Sequence, residues 1–223
     1  ARERRPPQGV PGRDRVSVKL RIGFIDLGAE FLDKDLVAQA LGFADFFLAV
    51  FLFTVVAYSA KGLRFKEKPF LDSITSASHF VGPMIYALAL THTSLVDNIV
   101  VIVSFTLWGI ASHAFGAVQD VKADREGGIS SIATVIGARN TVRFAFAAYL
   151  LAGVLVLFLK FPGNLAFIAA LPYLAIVGRE WNIDDETCER ANRGWKHFIL
   201  LNYIAGFVVT MLLIVIAMKL GTA

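Results

Sequence analysis

Residues 95–118 read LVDNIVVIVSFTLWGIASHAFGAV, and residues 120–128 follow as DVKADREGG. The first stretch is almost entirely apolar, whereas the second is charged. A helix needs about 20 mainly apolar residues to cross roughly 30 Å of hydrocarbon. The first stretch is therefore predicted to span a membrane as a helix, with the charged segment at one of its ends.

The composition extends this prediction to the whole chain. Of its 223 residues, 56% are hydrophobic and 18% are charged, and the mean hydropathy is +0.62. The apolar runs are too long and too uniform for the alternating strands of a membrane barrel. We expect an all-α, multi-pass membrane protein. Six apolar segments are predicted to cross the lipid bilayer: 43–59, 74–91, 95–118, 141–159, 163–178 and 198–217.

The positions of the basic residues predict the topology. The loops 60–73, 119–140 and 179–197 are each separated by two predicted spans, so all three belong on one face. Lysine and arginine favour cytoplasmic loops, which makes these loops cytoplasmic in an integral cell-membrane protein. Because many of the basic residues cluster in short loops between apolar runs, the net charge of +4 does not indicate a nucleic-acid partner. The basic residues of the three loops are Lys61, Arg64, Lys66, Lys68, Lys122, Arg125, Arg139, Arg179, Arg190, Arg193 and Lys196.

Residues 1–42 depart from this pattern. They are rich in Arg, Pro and Gly and contain no apolar region of a signal peptide. With one span before the loop 60–73, this basic segment would lie on the opposite face. We expect either that an odd number of spans is missing upstream or that the segment is not native to the fold. The alternative is a disordered basic tail that departs from the charge bias.

Two carboxylates in the charged segment suggest a metal site. Asp120 and Asp124 are four residues apart, so a helix continuing from the span would place them on one face, one turn apart. They repel each other unless a cation lies between them. Mg²⁺ prefers one or two carboxylates together with water and phosphate oxygens. Because loops beside membranes commonly carry acids, an ordinary charged loop is the alternative.

Five basic residues on the same face favour a phosphate ligand. Lys122 and Arg125 flank the two aspartates, and Lys61, Arg64 and Lys66 lie on the first loop. Arginine can bind a phosphate through two parallel hydrogen bonds. Together with the aspartates, these residues predict a magnesium and diphosphate site at the cytoplasmic membrane surface.

Several other polar residues are candidates for a catalytic or a structural role. Tyr58 is a possible catalytic group but is also typical of an interfacial anchor. His113, within a span, could transfer a proton or simply satisfy polar packing. Asp184 and Asp185 are predicted to cap a short helix that follows them.

Three stretches carry a resemblance to a known family. DVKADREGGISSIATVIGARNTVRF, from residue 120, resembles the second aspartate-rich motif of the UbiA-type intramembrane prenyltransferases. AYSAKGLRFKEKPFLDSITSASHF (57–80) and REWNIDDETCERANRGWKHFILLNY (179–203) are similar to the actinobacterial lycopene elongases. The resemblance runs from about residue 43 to the C-terminus.

The resemblance implies a bundle of nine helices with a central cavity and Mg²⁺ held by two acidic motifs. It implies that Asp120 and Asp124 are ligands of the second motif and that basic residues near Arg64 contact diphosphate. The first motif, NDxxDxxxD, is absent: residues 24–35 read FIDLGAEFLDKD, which has acids but no asparagine. Residues 43–223 would then form the C-terminal six helices of a fragment, whose own activity is in question.

The activity implied is transfer of a prenyl unit from dimethylallyl diphosphate to the ends of lycopene in carotenoid biosynthesis. The partners are thus an isoprenyl diphosphate and a hydrophobic polyene acceptor, with Mg²⁺ as cofactor. A quinone or lipid acceptor, or an inactive scaffold, are the alternatives. A transporter is disfavoured because the charges gather at helix ends rather than in mid-membrane. The aromatic residues Phe80, Phe105, Trp108 and Phe115 would line an acceptor cavity or serve as ordinary packing.

Overall fold

A short β-hairpin precedes the helices. The computed structural model describes residues 15–22 and 25–221, and the side chains of residues 42–218. Strand β1 (Arg15–Ile22) pairs antiparallel with β2 (Ile25–Asp33), in a register that places Arg15 opposite Asp33. Apolar and polar residues alternate along β1, a pattern typical of strands. The hairpin adds to the predicted helical fold. Residues 1–14 lie outside the described residues. That residues 1–42 form a segment distinct from the membrane domain 43–223 stays a prediction.

Each of the six predicted apolar segments coincides with a helix, which confirms the all-α membrane bundle. Two short helices, α4 and α5, lie between the third and fourth long ones, and 3₁₀ turns occupy Phe65–Glu67, Gly163–Ala166 and Cys188–Arg190. The helices are α1 (Lys34–Ser59), α2 (Leu71–Leu90), α3 (Ile99–Val118), α4 (Val121–Glu126), α5 (Ile132–Ile136), α6 (Ala138–Val156), α7 (Phe167–Gly178) and α8 (Ala191–Gly221).

Four of these segments are long and apolar enough to span a membrane: 42–59, 99–118, 138–156 and 188–218. The predicted span 163–178 is divided, because a 3₁₀ turn comes first and α7 has only 12 residues. Helix α2 has 20 residues but begins with polar residues that include Asp72, which is completely buried. Six spans were predicted, so the two remaining helices fall short of this criterion in length or in hydropathy.

The long helices pack in chain order. Helix α1 packs against α2, α2 against α3, α3 against α6, α6 against α7, and α7 against α8, which also reaches α3. Small residues permit the close approaches. A Cβ on Gly109 would lie 3.0 Å from the Cβ of Ala77, and one on Gly116 would lie 3.0 Å from the ring of Trp195. These two glycines let α3 approach α2 and α8.

An aromatic cluster fills the core between α3, α6, α7 and α8. The rings of Tyr149 and Tyr173 are stacked with centroids 5.1 Å apart, and Phe198 lies 5.3 Å from both Tyr173 and Phe115. The two tyrosine hydroxyls find partners: Tyr149 with Ser112 at 2.7 Å and Tyr173 with an α8 asparagine at 2.7 Å. Buried aromatic pairs contribute more than their area alone. The cluster holds α3, and with it the charged segment that follows.

Candidate functional site

The first two basic loops line a cavity of about 490 Å³ at one end of the bundle, and the third loop meets the second there through ion pairs. The predicted loops 60–73, 119–140 and 179–197 contain the connections from α1 to α2, from α3 to α6 and from α7 to α8. The structure therefore brings the predicted loops to one face. The lining consists of Tyr58, Arg64, Lys66, Glu67, His113, Gly116, Ala117, Gln119, Asp120, Asp124, Ile129, Ser131 and Trp195.

Asp120 and Asp124 both line this cavity, on a helix that is interrupted rather than continuous. Helix α3 ends at Val118, and α4 begins at Val121. The N–H of Asp120 donates to the carbonyl of Ala117 at 3.3 Å, a tightened turn that ends α3. The N–H of Asp124 then donates to the carbonyl of Asp120 at 2.8 Å. The predicted spacing of one turn holds, but the continuous helix was wrong.

The surroundings of the two carboxyls disfavour their charged forms. Partial burial raises the pKa of Asp120 above its usual value. Burial also raises the pKa of Asp124, the negative charge of Asp120 adds to this, and a hydrogen bond from Ser131 acts in the opposite direction. A cation between the two carboxylates would relieve both effects.

The donor set tests whether Mg²⁺ fits here. Among residues 42–218, no three acidic, histidine or cysteine side chains converge to hold a metal by themselves. Two hard carboxylate oxygens beside an open cavity suit a metal that keeps water or phosphate oxygens as its other ligands, which is the preference of Mg²⁺. The residues present fit magnesium bound together with a phosphorylated substrate and do not fit a closed protein cage.

The first loop contributes basic side chains opposite the aspartates. Arg64 and Lys66 line the cavity, while Lys61 is exposed on the same loop and does not reach the lining. Arg64 forms an ion pair with Glu67, which also lines the cavity. Arg64 has a left-handed backbone, with φ of 42°. Such a conformation is uncommon outside glycine and is held only by surrounding structure.

Lys122 and Arg125 do not line the cavity. The Arg125 guanidinium donates to a carboxyl oxygen of Asp185 at 2.6 Å and to the carbonyl of Thr134 at 2.9 Å. The ammonium of Lys122 lies 3.4 Å from a carboxyl oxygen of Glu186. These contacts join α4 to the loop before α8. Their predicted role in diphosphate binding stays a prediction, and the geometry of Arg125 favours a positioning role.

The two neighbouring acids of the third loop, Asp184 and Asp185, make different contacts. The carboxyl of Asp184 accepts hydrogen bonds from the hydroxyl and the N–H of Thr187, and these bonds lower its pKa. Asp184 therefore closes the turn before the 3₁₀ helix Cys188–Arg190, whereas the N-cap of that helix is Thr187, so the predicted cap was wrong. Asp185 instead accepts from the N–H of Ala138 at 2.6 Å, at the start of α6. Although partial burial acts against it, this bond and the charge of Arg125 lower the pKa of Asp185.

A buried acid near the cavity, Asp72, was not predicted from the sequence. Asp72 is completely buried, and its two carboxyl oxygens accept from the backbone N–H of Ser73 at 2.7 Å and of Ile132 at 2.8 Å. The hydroxyl of Ser73 lies 3.1 Å from Nδ1 of His113, and Nε2 of His113 lies 3.4 Å from the hydroxyl of Tyr58. An acid followed by hydroxyl residues at a helix start, LDSITS, is the signal that could have indicated it.

A second cavity of about 270 Å³ lies between α1 and α2. Its lining is mainly apolar and includes Phe51, Val55 and Pro83, together with His79. The rings of His79 and Tyr58 make an edge contact with centroids 5.4 Å apart, so this pair lies between the two cavities. The aromatic residues predicted either to line an acceptor cavity or to pack make ring contacts: Phe80 and Phe105 contact Trp108, and Phe115 contacts Phe198.

The sequence of this chain is similar to those of several curated proteins. The lycopene elongase/hydratase of Corynebacterium glutamicum is 51% identical over 170 residues, which cover 76% of this chain and 59% of that protein. The Dietzia protein named C(50) beta-cyclic carotenoids biosynthesis protein LbtBC is 50% identical, covering 75% of this chain and 39% of its own length. The lycopene elongase/hydratase of Haloferax volcanii is 31% identical, covering 74% and 52% respectively.

The chain thus spans less than two thirds of the length of these relatives. No solved structure is similar to it. The model of the UbiA prenyltransferase family matches residues 36–203, more than half of the chain. Together with the apolar helices, the match identifies an integral membrane protein, and the chain belongs to the UbiA prenyltransferase family.

Proposed function

We propose that the protein containing this chain transfers a prenyl unit from dimethylallyl diphosphate to the ends of lycopene, as a step of carotenoid biosynthesis. The observation that carries this proposal is the cavity at the end of an apolar helix bundle, which is lined by Asp120 and Asp124 together with Arg64 and Lys66. The names of the relatives, half identical in sequence, support the polyene acceptor.

Asp120 and Asp124 would hold Mg²⁺, and Arg64 and Lys66 would contact the diphosphate. The metal would supply positive charge to the leaving diphosphate oxygens. The basic side chains stabilise the same developing charge, and guanidinium groups can do so through two parallel bonds. Lys61, on the same loop as Arg64, would contact a diphosphate bound nearer to the mouth of the cavity. Arg125 and Lys122 hold α4 against the loop before α8, which keeps the aspartates aimed at the cavity.

The reaction requires an apolar path for the acceptor beside this polar site. The mainly apolar cavity between α1 and α2 adjoins the first cavity through Tyr58 and His79. An end of a polyene in this second cavity would lie close to the prenyl group, and apolar walls would exclude water from the allylic cation. The mainly apolar lining of this second cavity suits a hydrocarbon acceptor.

The cavity would face the cytoplasm. The three loops at this end of the bundle carry most of the basic residues of the helical region, and such loops are retained on the cytoplasmic side. The water-soluble diphosphate would enter from that side, while the polyene would enter from the lipid.

The test is to express the complete reading frame containing these residues in cells that accumulate lycopene. We expect carotenoids of forty-five and fifty carbons, resolved by chromatography and mass spectrometry. The variant Asp120→Ala should lose these products while remaining in the membrane fraction in normal amounts.

Three outcomes separate the proposal from its alternatives. Full activity of Asp120→Ala would contradict the metal and diphosphate site. Prenylated quinone or lipid without elongated carotenoid would assign a different acceptor. Absence of any prenyl transfer would favour a scaffold, an alternative supported by the lack of a third convergent metal ligand among residues 42–218.

A further inference from the structure

A hydrogen-bonded chain of four side chains leads from a buried acid into the cavity. The Ser73 hydroxyl donates to the Asp72 carboxyl at 3.3 Å and lies 3.1 Å from Nδ1 of His113, whose Nε2 lies 3.4 Å from the Tyr58 hydroxyl. His113 and Tyr58 both line the cavity. An ionisable residue inside a membrane helix is costly unless it is paired, and it commonly marks function.

We propose that His113 is the catalytic base that accepts, at Nε2, the proton released in the last step of prenyl transfer. This inference rests on the proposed function and adds to it the group that completes the reaction. The diphosphate site contains acids and cations that suit ionisation, but ionisation by itself releases no proton to a base.

The hydrogen bonds select the tautomer that this role requires. Asp72 accepts backbone N–H bonds at both carboxyl oxygens, so it serves the Ser73 hydroxyl as an acceptor. A hydroxyl has one proton to donate, and Ser73 gives it to Asp72. The Ser73 oxygen can then only accept, which places a proton on Nδ1 of His113. Nε2 then carries the lone pair and accepts from the Tyr58 hydroxyl, and because both side chains line the cavity, a substrate proton can reach Nε2 directly or through that hydroxyl.

The position of His113 suits the reacting carbons rather than the diphosphate. His113 precedes Asp120 by seven residues on α3 and its terminal turn, about 10 Å deeper along the helix axis. A diphosphate held near Asp120 would extend its prenyl group toward this depth. The contact of Tyr58 with His79 connects the same depth to the apolar cavity.

The balance of the reaction shows where the proton arises. The C–O bond of the allylic diphosphate breaks, and its electron pair leaves with the diphosphate. The terminal double bond of the acceptor supplies the pair for the new C–C bond, which leaves a tertiary cation. Loss of a proton from a neighbouring carbon returns the C–H pair to a new C=C bond. Capture of water would also release one proton. In both cases Nε2 of His113 takes it and becomes imidazolium.

The test compares His113→Gln with the wild type in the complete protein, measuring three products: elongated carotenoid, diphosphate and dimethylallyl alcohol. Glutamine keeps a hydrogen-bonding side chain of similar size but cannot act as the base. We expect elongated carotenoid to fall about 100-fold, with KM for the allylic diphosphate unchanged. Diphosphate release should continue with a higher ratio of dimethylallyl alcohol to carotenoid. Without the base, the tertiary cation breaks the new C–C bond again and returns that electron pair to the acceptor double bond, and water then captures the released allylic cation. A purely structural role would lower all products together.

Ser73 provides a second, milder perturbation. Ser73→Ala removes the acceptor for the Nδ1 proton and should lower carotenoid formation about tenfold, whereas Ser73→Thr keeps a hydroxyl and should restore most of it. His197→Gln is the matched control, because His197 is exposed on α8 and does not line the cavity. It should behave as the wild type.

The results also separate this inference from the proposed function. Wild-type turnover and an unchanged product ratio in His113→Gln would overturn the role of His113 while leaving prenyl transfer intact. Absence of prenyl transfer in the wild type, with or without these substitutions, would overturn the proposed function itself.

Discussion

The two sides of the segment around α4 have different surroundings. On one side, Asp120 and Asp124 face the cavity, and partial burial raises the pKa of each. On the other side, Arg125 and Lys122 meet the acids Asp185 and Glu186 of the loop before α8. All four side chains come from one charged stretch of sequence. The acids are left without a cationic partner among the described ion pairs, whereas the basic residues are engaged.

This difference distinguishes the acids that can bind a ligand from the basic residues that hold the segment in place. Groups kept in an unfavourable electrostatic setting are candidates for binding, because a ligand can relieve the cost. Groups whose charge is already matched within the fold are better suited to holding geometry. The four predictions below test this division, beginning with the largest expected effect.

Neutralising an acid that lines the cavity should remove activity without lowering the stability of the protein. Asp124→Asn is expected to lower carotenoid formation about 100-fold or more. Its melting temperature in detergent should stay the same or rise, because the folded protein disfavours the charged form of Asp124. A decrease in melting temperature that parallels the loss of product would contradict the division. Glu126→Gln, on the same helix but outside the cavity lining, is the matched control and should keep full activity.

Removal of the ion pair between Arg125 and Asp185 should lower the free energy of unfolding. Arg125→Gln or Asp185→Asn is expected to cost about 1 kcal/mol, since the pair is partly exposed and Asp185 also caps α6. This corresponds to about 2–4 °C in melting temperature. The double variant should lose less than the sum of the single ones, which reports coupling. Additive effects would show that the pair does not act as a unit.

The contribution of Asp185 should depend on pH in one direction. Its pKa is lowered in the folded protein, so its charged form adds stability above the usual aspartate pKa of about 3.9, and this stability is lost as the pH falls through the lower folded value. The gap in melting temperature between wild type and Asp185→Asn should therefore narrow below about pH 4. A gap that is constant from pH 7 to pH 3 would contradict this prediction.

The smallest effect on stability is expected for the exposed ion pair between Lys122 and Glu186. Lys122→Gln should change stability by less than about 0.5 kcal/mol, because its contact with Glu186 is 3.4 Å long and the glutamate is 88% exposed. Carotenoid formation should also change little. A loss of activity with increased KM for the allylic diphosphate would instead support the original prediction that Lys122 contacts the diphosphate.

Periodicity and spacing predicted the features that depend on local sequence. The apolar runs predicted six helices, and the interval between Asp120 and Asp124 predicted two carboxylates one turn apart. Both results follow from rules that act within a few residues: apolar length for a span and 3.6 residues per turn for a helix. The loop parity correctly brought Arg64 and Lys66 to the same end as these acids, since helix connections alternate between two faces.

Partners that are distant in the sequence could not be predicted in the same way. Asp185 was expected to cap its own short helix, and it caps α6 because that helix begins beside it in space. Asp72 had no predicted role, and it joins α2 to the start of α5. Hydrogen bonds between segments 47 and 60 residues apart depend on how helices pack. No local pattern encodes that packing.

The sequence by itself determined a membrane bundle with paired aspartates among basic loops, because hydropathy and helical spacing are properties of consecutive residues. Only the tertiary structure decided which charges face the cavity and which are paired elsewhere. It also decided that His113 contacts Ser73 and Tyr58, from two other helices. The physical reason is that burial and hydrogen-bond partners are set by the segments that surround a side chain, and these segments meet only when the helices pack.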